Sequence, residues 1–515
     1  MKILLLEHPR RLQPDRCNDI ANTPLSSCLN SGYIAGMLES KGHRVKIVEG
    51  YLDRLSYEEI TNIVEEFKPD ILGVHMVYHW QFDQALHGFL DKVKKAFHHT
   101  YITSFGFFPT NSFAEVLQKY PQIASVILGE PEVSFSEVVE AISSRASLEG
   151  LPGLAVADED GTVRLQRREP VQDLDSLPFP IRTRALLSLP EVNLMGSRGC
   201  YGGCTFCYIN PFYGQGSRWR GRSPKNIISE IDEVIAATGV RDFYFTDPNF
   251  FGPGQRGQER ALQLAGLLQP RNIRFGIEAR VNDIHDETIE ALVKAGLRHL
   301  LIGLESGKDS SLQRMNKKTT VAQNERALKV LRKHGLEPNV GFIMFEPDSN
   351  LEDIRINFEF LKRNELLKNL AVTANLLYHH QIILKGTTAY DVLLEEGRLH
   401  VESSLNHEGT GTLSNPEVGT LAEILRQITN HLFLRMGGIW SGKVIPPENA
   451  EENYGRINRI LVEVFEDSLA VLEAGRHLTK EDISRIVRQT VEAITSSISE
   501  MMFLGLRPRQ REPCP

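Results

Sequence analysis

Twice along this chain, short apolar runs alternate with helical stretches in strict strand-then-helix order, and that repetition most narrows what it can fold into. In the first block Lys2 to Leu6, Arg44 to Val48, Asp70 to Val74, Tyr101 to Ser104 and Ala124 to Leu128 read as strands, with helices near Ser31 to Lys41 and Tyr57 to Phe67. An open parallel sheet over 1-150 is predicted, with any ligand lying at the carboxyl ends of its strands. That rule gathers His75 to Trp80, Gly106 to Thr110 and Gly129-Glu130 around one crevice. A Pro- and Gly-rich connector follows over 151-185, with a small hairpin around Asp158 to Gly161.

The second block, over 186-390, places strands at Val192 to Met195, Asp242 to Thr246, Arg274 to Glu278, His299 to Gly303, Val340 to Phe345 and Ala371 to Leu376. Helices fall between them, the first capped by Ser223 with Pro224 at its opening position. Six such units predict a partial (β/α)6 barrel. By the strand-end rule for barrels, Asp247, Glu278, Arg280, Glu305 and Ser306 face its mouth. From 391 to 515 the pattern turns helical, with apolar residues at three-to-four spacing over Pro416 to Arg435, Ala450 to Ala474 and Thr479 to Met502.

The second block opens with a loop of unusual composition, Gly199-Cys200-Tyr201-Gly202-Gly203-Cys204-Thr205-Phe206-Cys207, which holds three of the six cysteines at C-x3-C-x2-C spacing. Three thiolates on one short loop suit three corners of a cubane iron–sulfur cluster; tetrahedral zinc would need a fourth protein ligand, and none stands at a recognisable distance. The fourth iron is then open to a chelate through nitrogen and oxygen. Glycines at 199, 202 and 203 let the backbone approach a bulky inorganic core.

Composition sets the surroundings. At 515 residues, two or three domains are expected, each able to bury its own core. The net charge of -8 with mixed signs argues against a nucleic-acid binder, and no apolar run approaches the roughly 18 to 20 residues that span a bilayer. Cys17, Cys28 and Cys514 follow no pairing pattern, and the first residues run straight into a strand. A reducing, cytoplasmic setting is expected.

The cysteine loop, with an aromatic before its last Cys, resembles the radical S-adenosylmethionine (radical SAM) superfamily. The resemblance implies a 4Fe-4S cluster on Cys200, Cys204 and Cys207, SAM on the open iron, and an external electron donor such as flavodoxin or ferredoxin. Thr246-Asp247-Pro248-Asn249-Phe250, Gly276-Ile277-Glu278-Ala279-Arg280 and Gly303-Leu304-Glu305-Ser306-Gly307 are similar to the family's strand-end motifs. By that likeness Phe206, Asp247, Glu278, Arg280, Glu305 and Ser306 hold SAM; carboxylates suit ribose hydroxyls and Arg280 suits a carboxylate. Phe345-Glu346-Pro347-Asp348 departs from the G-x-P-G phrase expected there.

Leu38 to Val45, Gly106 to Thr110 and Leu128 to Glu132 resemble the Rossmann-like cobalamin-binding domain that precedes the barrel in one large subgroup. Ser31, His75, Tyr78, His79, Gly106, Thr110, Gly129 and Glu130 are the corresponding cobalamin positions. The D-x-H-x-x-G signature for a cobalt-bound histidine is absent, and His75 to Trp80 is bulky where the family has small residues. Either Tyr78, His79 or Trp80 covers the lower face, or these groups fill a crevice that has lost cobalamin. Arg218, Arg220 and Arg222 either hold an anionic small-molecule substrate or pair with acidic neighbours.

What the resemblance implies is reductive SAM cleavage and radical methyl transfer to an unactivated carbon or phosphorus of a specialised metabolite, with methylcobalamin as donor. Two alternatives stand: a rearrangement, cyclisation or SAM-fragment transfer without methyl transfer, and a non-enzymatic corrinoid or metal-binding protein.

Overall fold

The computed structural model describes residues 1–9, 29–76, 83–158, 160–214, 219–401, 408–440, 444–445, 450–503 and 507–508. Cys17, Cys28, Tyr78, His79, Trp80, Arg218 and Cys514 lie outside them.

The first sheet contains β1 (Lys2–Glu7), β2 (Arg44–Glu49), β3 (Ile71–His75), β4 (Tyr101–Phe105), β5 (Ser125–Ile127), β6 (Leu154–Ala157) and β7 (Val163–Gln166), in the order β2-β1-β3-β4-β5-β6-β7. The first five run parallel; β6 and β7 are antiparallel. β1 and β3 read as unbroken apolar runs because helices cover both faces of the sheet. Alternate residues feed two cores: Leu4, Leu6, Leu72 and Val74 on one side, Ile3, Leu5, Ile71 and Phe105 on the other. The hairpin assigned to the connector is therefore part of the first sheet, so that sheet runs to Gln166 rather than ending near residue 150. Backbone pairing along β5 overrides the turn-rich composition around it.

The second sheet contains β8 (Val192–Leu194) and, beyond the two-residue pair β9 (Ser197–Arg198) and β10 (Arg220–Gly221), β11 (Asp242–Phe245), β12 (Arg274–Arg280), β13 (Leu297–Glu305) and β14 (Asn339–Phe342). Its order is β14-β13-β12-β11-β8, all parallel. Helices between the strands are closed by the expected signals. Ser223 Oγ accepts the Asn226 amide at 3.2 Å, and Gly239 ends that helix in the left-handed region.

The sixth strand, expected at Ala371 to Leu376, is instead a helix, Leu370–Tyr378. Asn369 caps it through the Ala371 and Val372 amides at 3.0 and 3.2 Å, and an apolar run of this length does not itself tell helix from strand. Beyond it the chain extends and makes one parallel bridge, Phe345 to His380. The partial barrel is five strands and a bridge.

A small sheet of Ile383–Leu384, Leu399–His400 and Glu408–Gly411 intervenes before the helices Pro416–Trp440, Ala450–Glu473 and Lys480–Phe503. These helices are not a separable cap. Phe465, Leu461 and Ile494 belong to the same apolar core as the barrel, with Phe358 stacked on Phe465 at 4.8 Å. Among the described residues no helix is long and apolar enough to cross a membrane.

Candidate functional site

At the carboxyl edge of the second sheet, Cys200, Cys204 and Cys207 open onto one cavity of about 170 Å³. Phe206, Asn210, Pro248, Glu278, Arg280, Leu301, Gly303, Glu305 and Lys317 also line it. The cysteine loop is held from three directions. The Thr205 amide donates to the Met315 carbonyl at 3.0 Å, and the Ala389 amide donates to the Thr205 carbonyl at 2.9 Å. Asn210 and Asn316 side-chain amides each donate to the loop, to Gly202 and Gly203 carbonyls, at 2.6 Å.

The sulfurs fit a cluster. The Gly202 amide lies 3.3 Å from Cys200 Sγ and Arg280 Nη1 lies 3.6 Å from Cys204 Sγ, so two donors already face the anionic sulfurs that iron would hold. Burial pushes the Cys207 thiol up to about 12, a penalty that iron ligation removes by replacing the proton. A side chain at Gly202 would run into Arg280, its Cβ only 2.4 Å from Nη1. Glycine here is what lets the guanidinium reach the loop.

Glu305 and Lys317 form a buried pair at 2.6 Å. Glu305 sits at φ 63°, an uncommon conformation for a residue with a side chain, where the β13–β14 register shifts. Gly303 leaves room for the pair; a Cβ there would lie 2.4 Å from the carboxylate. Glu278 accepts a hydrogen bond from the Tyr244 hydroxyl at 3.0 Å, and burial raises its carboxyl to about 7. Arg280 spends one Nη on Cys204 and the other on the Lys317 carbonyl, so it braces the loop, with Tyr201 under its guanidinium at 5.4 Å.

Two of the expected SAM residues are absent from the cavity wall. Asp247 is fully buried and accepts the Gly196 amide at 2.9 Å. Ser306 donates to Asn357 Oδ1 at 2.8 Å, tying the strand end to the helix Leu351–Arg363. Lys317 went unnoticed in the sequence because it belongs to no strand end; the run Arg314-Met315-Asn316-Lys317 carries no periodic signal. His379 also went unnoticed. Its carbonyl accepts the Phe345 amide at 3.1 Å where a sixth strand would run, and its Nδ1 is shut off from solvent with no hydrogen-bond partner among the described residues.

At the carboxyl edge of the first sheet, Ser31 donates to Glu7 at 2.6 Å and His75 Nδ1 lies 2.7 Å from the same carboxylate. His75 is 1% exposed and stacks on Phe105 at 4.8 Å, so it is built into the wall of the crevice rather than standing in it. Thr110 bonds the Gly106 carbonyl at 2.7 Å and accepts the Gly129 amide at 3.1 Å. Gly106 and Gly129 have φ of 118° and 68°. These two side-chain-free residues form a shelf at the strand ends that is tightly packed from beneath: a Cβ on Gly106 would lie 2.8 Å from the His75 ring and from the Met76 carbonyl, and one on Gly129 3.2 Å from the Phe212 carbonyl. Phe107 on this shelf meets Phe212 at 4.1 Å and Tyr208, next to Cys207, at 4.8 Å. Glu130 does not face the shelf openly: it pairs with Arg220 at 2.5 Å and accepts the Val171 amide at 2.9 Å.

Of the three expected substrate arginines, the two within the described residues, Arg220 and Arg222, are buried against acidic partners. Arg222 is buried against Glu230 and the Asn226 side chain. Pairing with acidic neighbours is the role the structure gives them.

Comparison with known proteins agrees with this geometry. Residues 194–361 match the model of the radical SAM superfamily, and residues 29–139 match the B12 binding domain. An uncharacterized methyltransferase of Pyrococcus horikoshii is 27% identical over 378 residues, 71% of this chain and 79% of that protein. The anaerobic magnesium-protoporphyrin IX monomethyl ester cyclase of Cereibacter sphaeroides is 25% identical over 335 residues, 61% of this chain and 52% of its own length. Among solved structures, the cobalamin-dependent SAM radical enzyme OxsB, bound to aqua-cobalamin and SAM, superposes with a TM-score of 0.80 at 19% identity, covering 98% of this chain and 80% of that one. The chain is a radical SAM protein with a B12-binding domain ahead of the barrel. Its two matched domains place it among the cobalamin-dependent radical SAM enzymes.

Proposed function

We propose that this enzyme is a radical methyltransferase acting on an unactivated carbon or phosphorus of a small molecule. The observation that carries the reading is the joining of two cofactor sites: the thiol-lined cavity and the glycine shelf are bridged by Phe107, Tyr208 and Phe212. When bound, the cluster would supply the electron for reductive cleavage of SAM, and the corrinoid would supply the methyl-transfer chemistry.

The chain's own residues do the rest. Cys200, Cys204 and Cys207 hold the cluster, and Arg280 and the Gly202 amide hold charge on its sulfurs. Phe206, Glu278 and the Glu305–Lys317 pair would flank SAM; Lys317 fixes the Glu305 carboxylate in place through the 2.6 Å ion pair, and Glu278 offers an acceptor to ribose hydroxyls. Gly106, Thr110 and Gly129 seat the corrinoid. The aromatic bridge excludes water from the space where substrate meets both cofactors. An electron donor such as flavodoxin or ferredoxin, in the cytoplasm, completes the system.

The similarity to a cyclase keeps one other reading in play, a ring-forming or rearranging reaction without methyl transfer. The test is anaerobic turnover of the reconstituted, cobalamin-loaded enzyme with candidate substrates, counting products. S-adenosylhomocysteine formed in step with a methylated product supports methyl transfer. Product and 5'-deoxyadenosine without S-adenosylhomocysteine assign the enzyme to the other reading.

A further inference from the structure

Arg198 stands two residues before Cys200, and Arg220 pairs with it across the short β9–β10 ribbon. Neither arginine reaches the cavity. Arg198 turns instead to the start of the helix Pro131–Ser144, where Nη1 and Nη2 donate to both oxygens of Glu132 at 3.2 and 2.6 Å, with Glu130 at 3.7 Å. Arg220 donates to Glu130 at 2.5 Å. The side chains of all four residues are 6% exposed or less. Glu130 and Glu132 open the helix Pro131–Ser144, directly after the shelf glycine Gly129. Tyr33 covers Arg198 at 5.0 Å and Tyr213 covers Arg220 at 5.6 Å, so each guanidinium is clamped by a ring as well as by a carboxylate.

This network joins the strand that launches the cysteine loop to the loop that forms the corrinoid shelf. Bidentate pairing fixes orientation as well as distance, which a single point contact would not. Buried ion pairs are a poor source of net stability, since desolvation cancels most of the attraction, and their best-attested use is to specify one arrangement. We propose that Arg198 and Arg220 are positioning residues that, through Glu132 and Glu130, hold the cluster loop and the corrinoid shelf at one fixed separation. The two cofactors then work without the domains parting between steps. The inference rests on the two-cofactor reading and adds to it which residues set the spacing.

The test uses the full chain, reconstituted with iron and sulfide and loaded with hydroxocobalamin, then reduced with dithionite. The magnetic interaction between the reduced cluster and cob(II)alamin, read by electron paramagnetic resonance, reports their separation; 5'-deoxyadenosine formed from SAM alone reports idle cleavage. In Arg198→Met/Glu132→Leu, which removes the pair without stranding a charge, iron and cobalt content should match the wild type. The interaction should weaken and spread over a range of values, and idle cleavage should change several-fold. Arg198→Lys, which keeps the charge and loses the fork, should fall between, and it decides the matter if the double variant does not fold. Arg271→Met, at an exposed pair with Asp232, is the control. Unchanged interaction and cleavage in the folded network variants would overturn the proposal alone. A wild-type chain that takes up iron and no cobalt would overturn the two-cofactor reading and this proposal together.

Discussion

At the carboxyl edge of the first sheet Glu7, Ser31 and His75 are spent on one another, while at the same edge of the second sheet Glu278, Arg280, Glu305 and Lys317 ring an open cavity. The first edge presents backbone and two glycines with positive φ; the second presents charge, on side chains held in buried pairs. The difference teaches where substitutions should bite. Side chains around the cavity are exposed to whatever enters it, whereas those beneath the shelf are packed against its glycines.

The sharpest way to test the cavity half is Cys204→Ser. Loss of one thiolate should reduce iron from about four per chain to less than about one, and SAM cleavage by at least ~10³-fold, read by iron assay and 5'-deoxyadenosine counting. Full iron content would break the assignment of the loop.

Next in size is Lys317→Met, which strands the Glu305 carboxylate in a buried site. It should cost about 3–5 kcal/mol in denaturant unfolding, and adding Glu305→Gln should recover most of that. Equal losses in the single and double variants would mean the two residues are not coupled.

A pH prediction concerns Glu278, whose carboxyl burial raises from 4.5 to about 7. The folded chain binds that proton more tightly than the unfolded chain, so this group makes stability fall as pH rises from about 4.5 to about 7. The full penalty, up to about 3 kcal/mol, is present above that window and absent below it. In cofactor-free protein, Glu278→Gln should flatten the slope within the window, measured as the difference from wild type; parallel curves would contradict a buried carboxyl.

On the shelf, Gly106→Ala should cost about 2 kcal/mol, because φ is 118° and a Cβ would sit 2.8 Å from the His75 ring. In a His75→Ala background only the ring's share of the clash should be relieved, because the Met76 carbonyl also lies 2.8 Å from that Cβ. At the bottom of the scale, Lys333→Ala at the exposed pair with Asp286 should change stability by less than about 0.5 kcal/mol. An effect there as large as at Lys317 would erase the contrast between buried and surface charge.

The parallel sheets and the cysteine loop were legible because each is local: a short apolar run bounded by turn residues marks a strand buried on both faces, and three cysteines in eight residues mark a ligand set. Asp247 and Ser306 sit at strand ends as expected, yet which way a strand-end side chain turns depends on Gly196 and Asn357, 51 residues before and after them respectively. The partners of Arg220 and Arg198 lie 90 and 66 residues away, beyond any periodic pattern. The helix Leu370–Tyr378 was misread because its nine residues are nearly all apolar, and only the Asn369 cap distinguishes it from a buried strand. Lys317 is held by a buried carboxylate that no spacing rule connects to it.

The hairpin of β6 and β7 bears on how this protein can be cut. A fragment ending near residue 150 would leave β5 with a bare row of amides and carbonyls on its outer side, an invitation to strand-to-strand aggregation. Arg168 seals the hairpin against the helix Pro131–Ser144 through Ser134 and Glu137, so the natural seam for grafting or exchanging this module falls after that arginine.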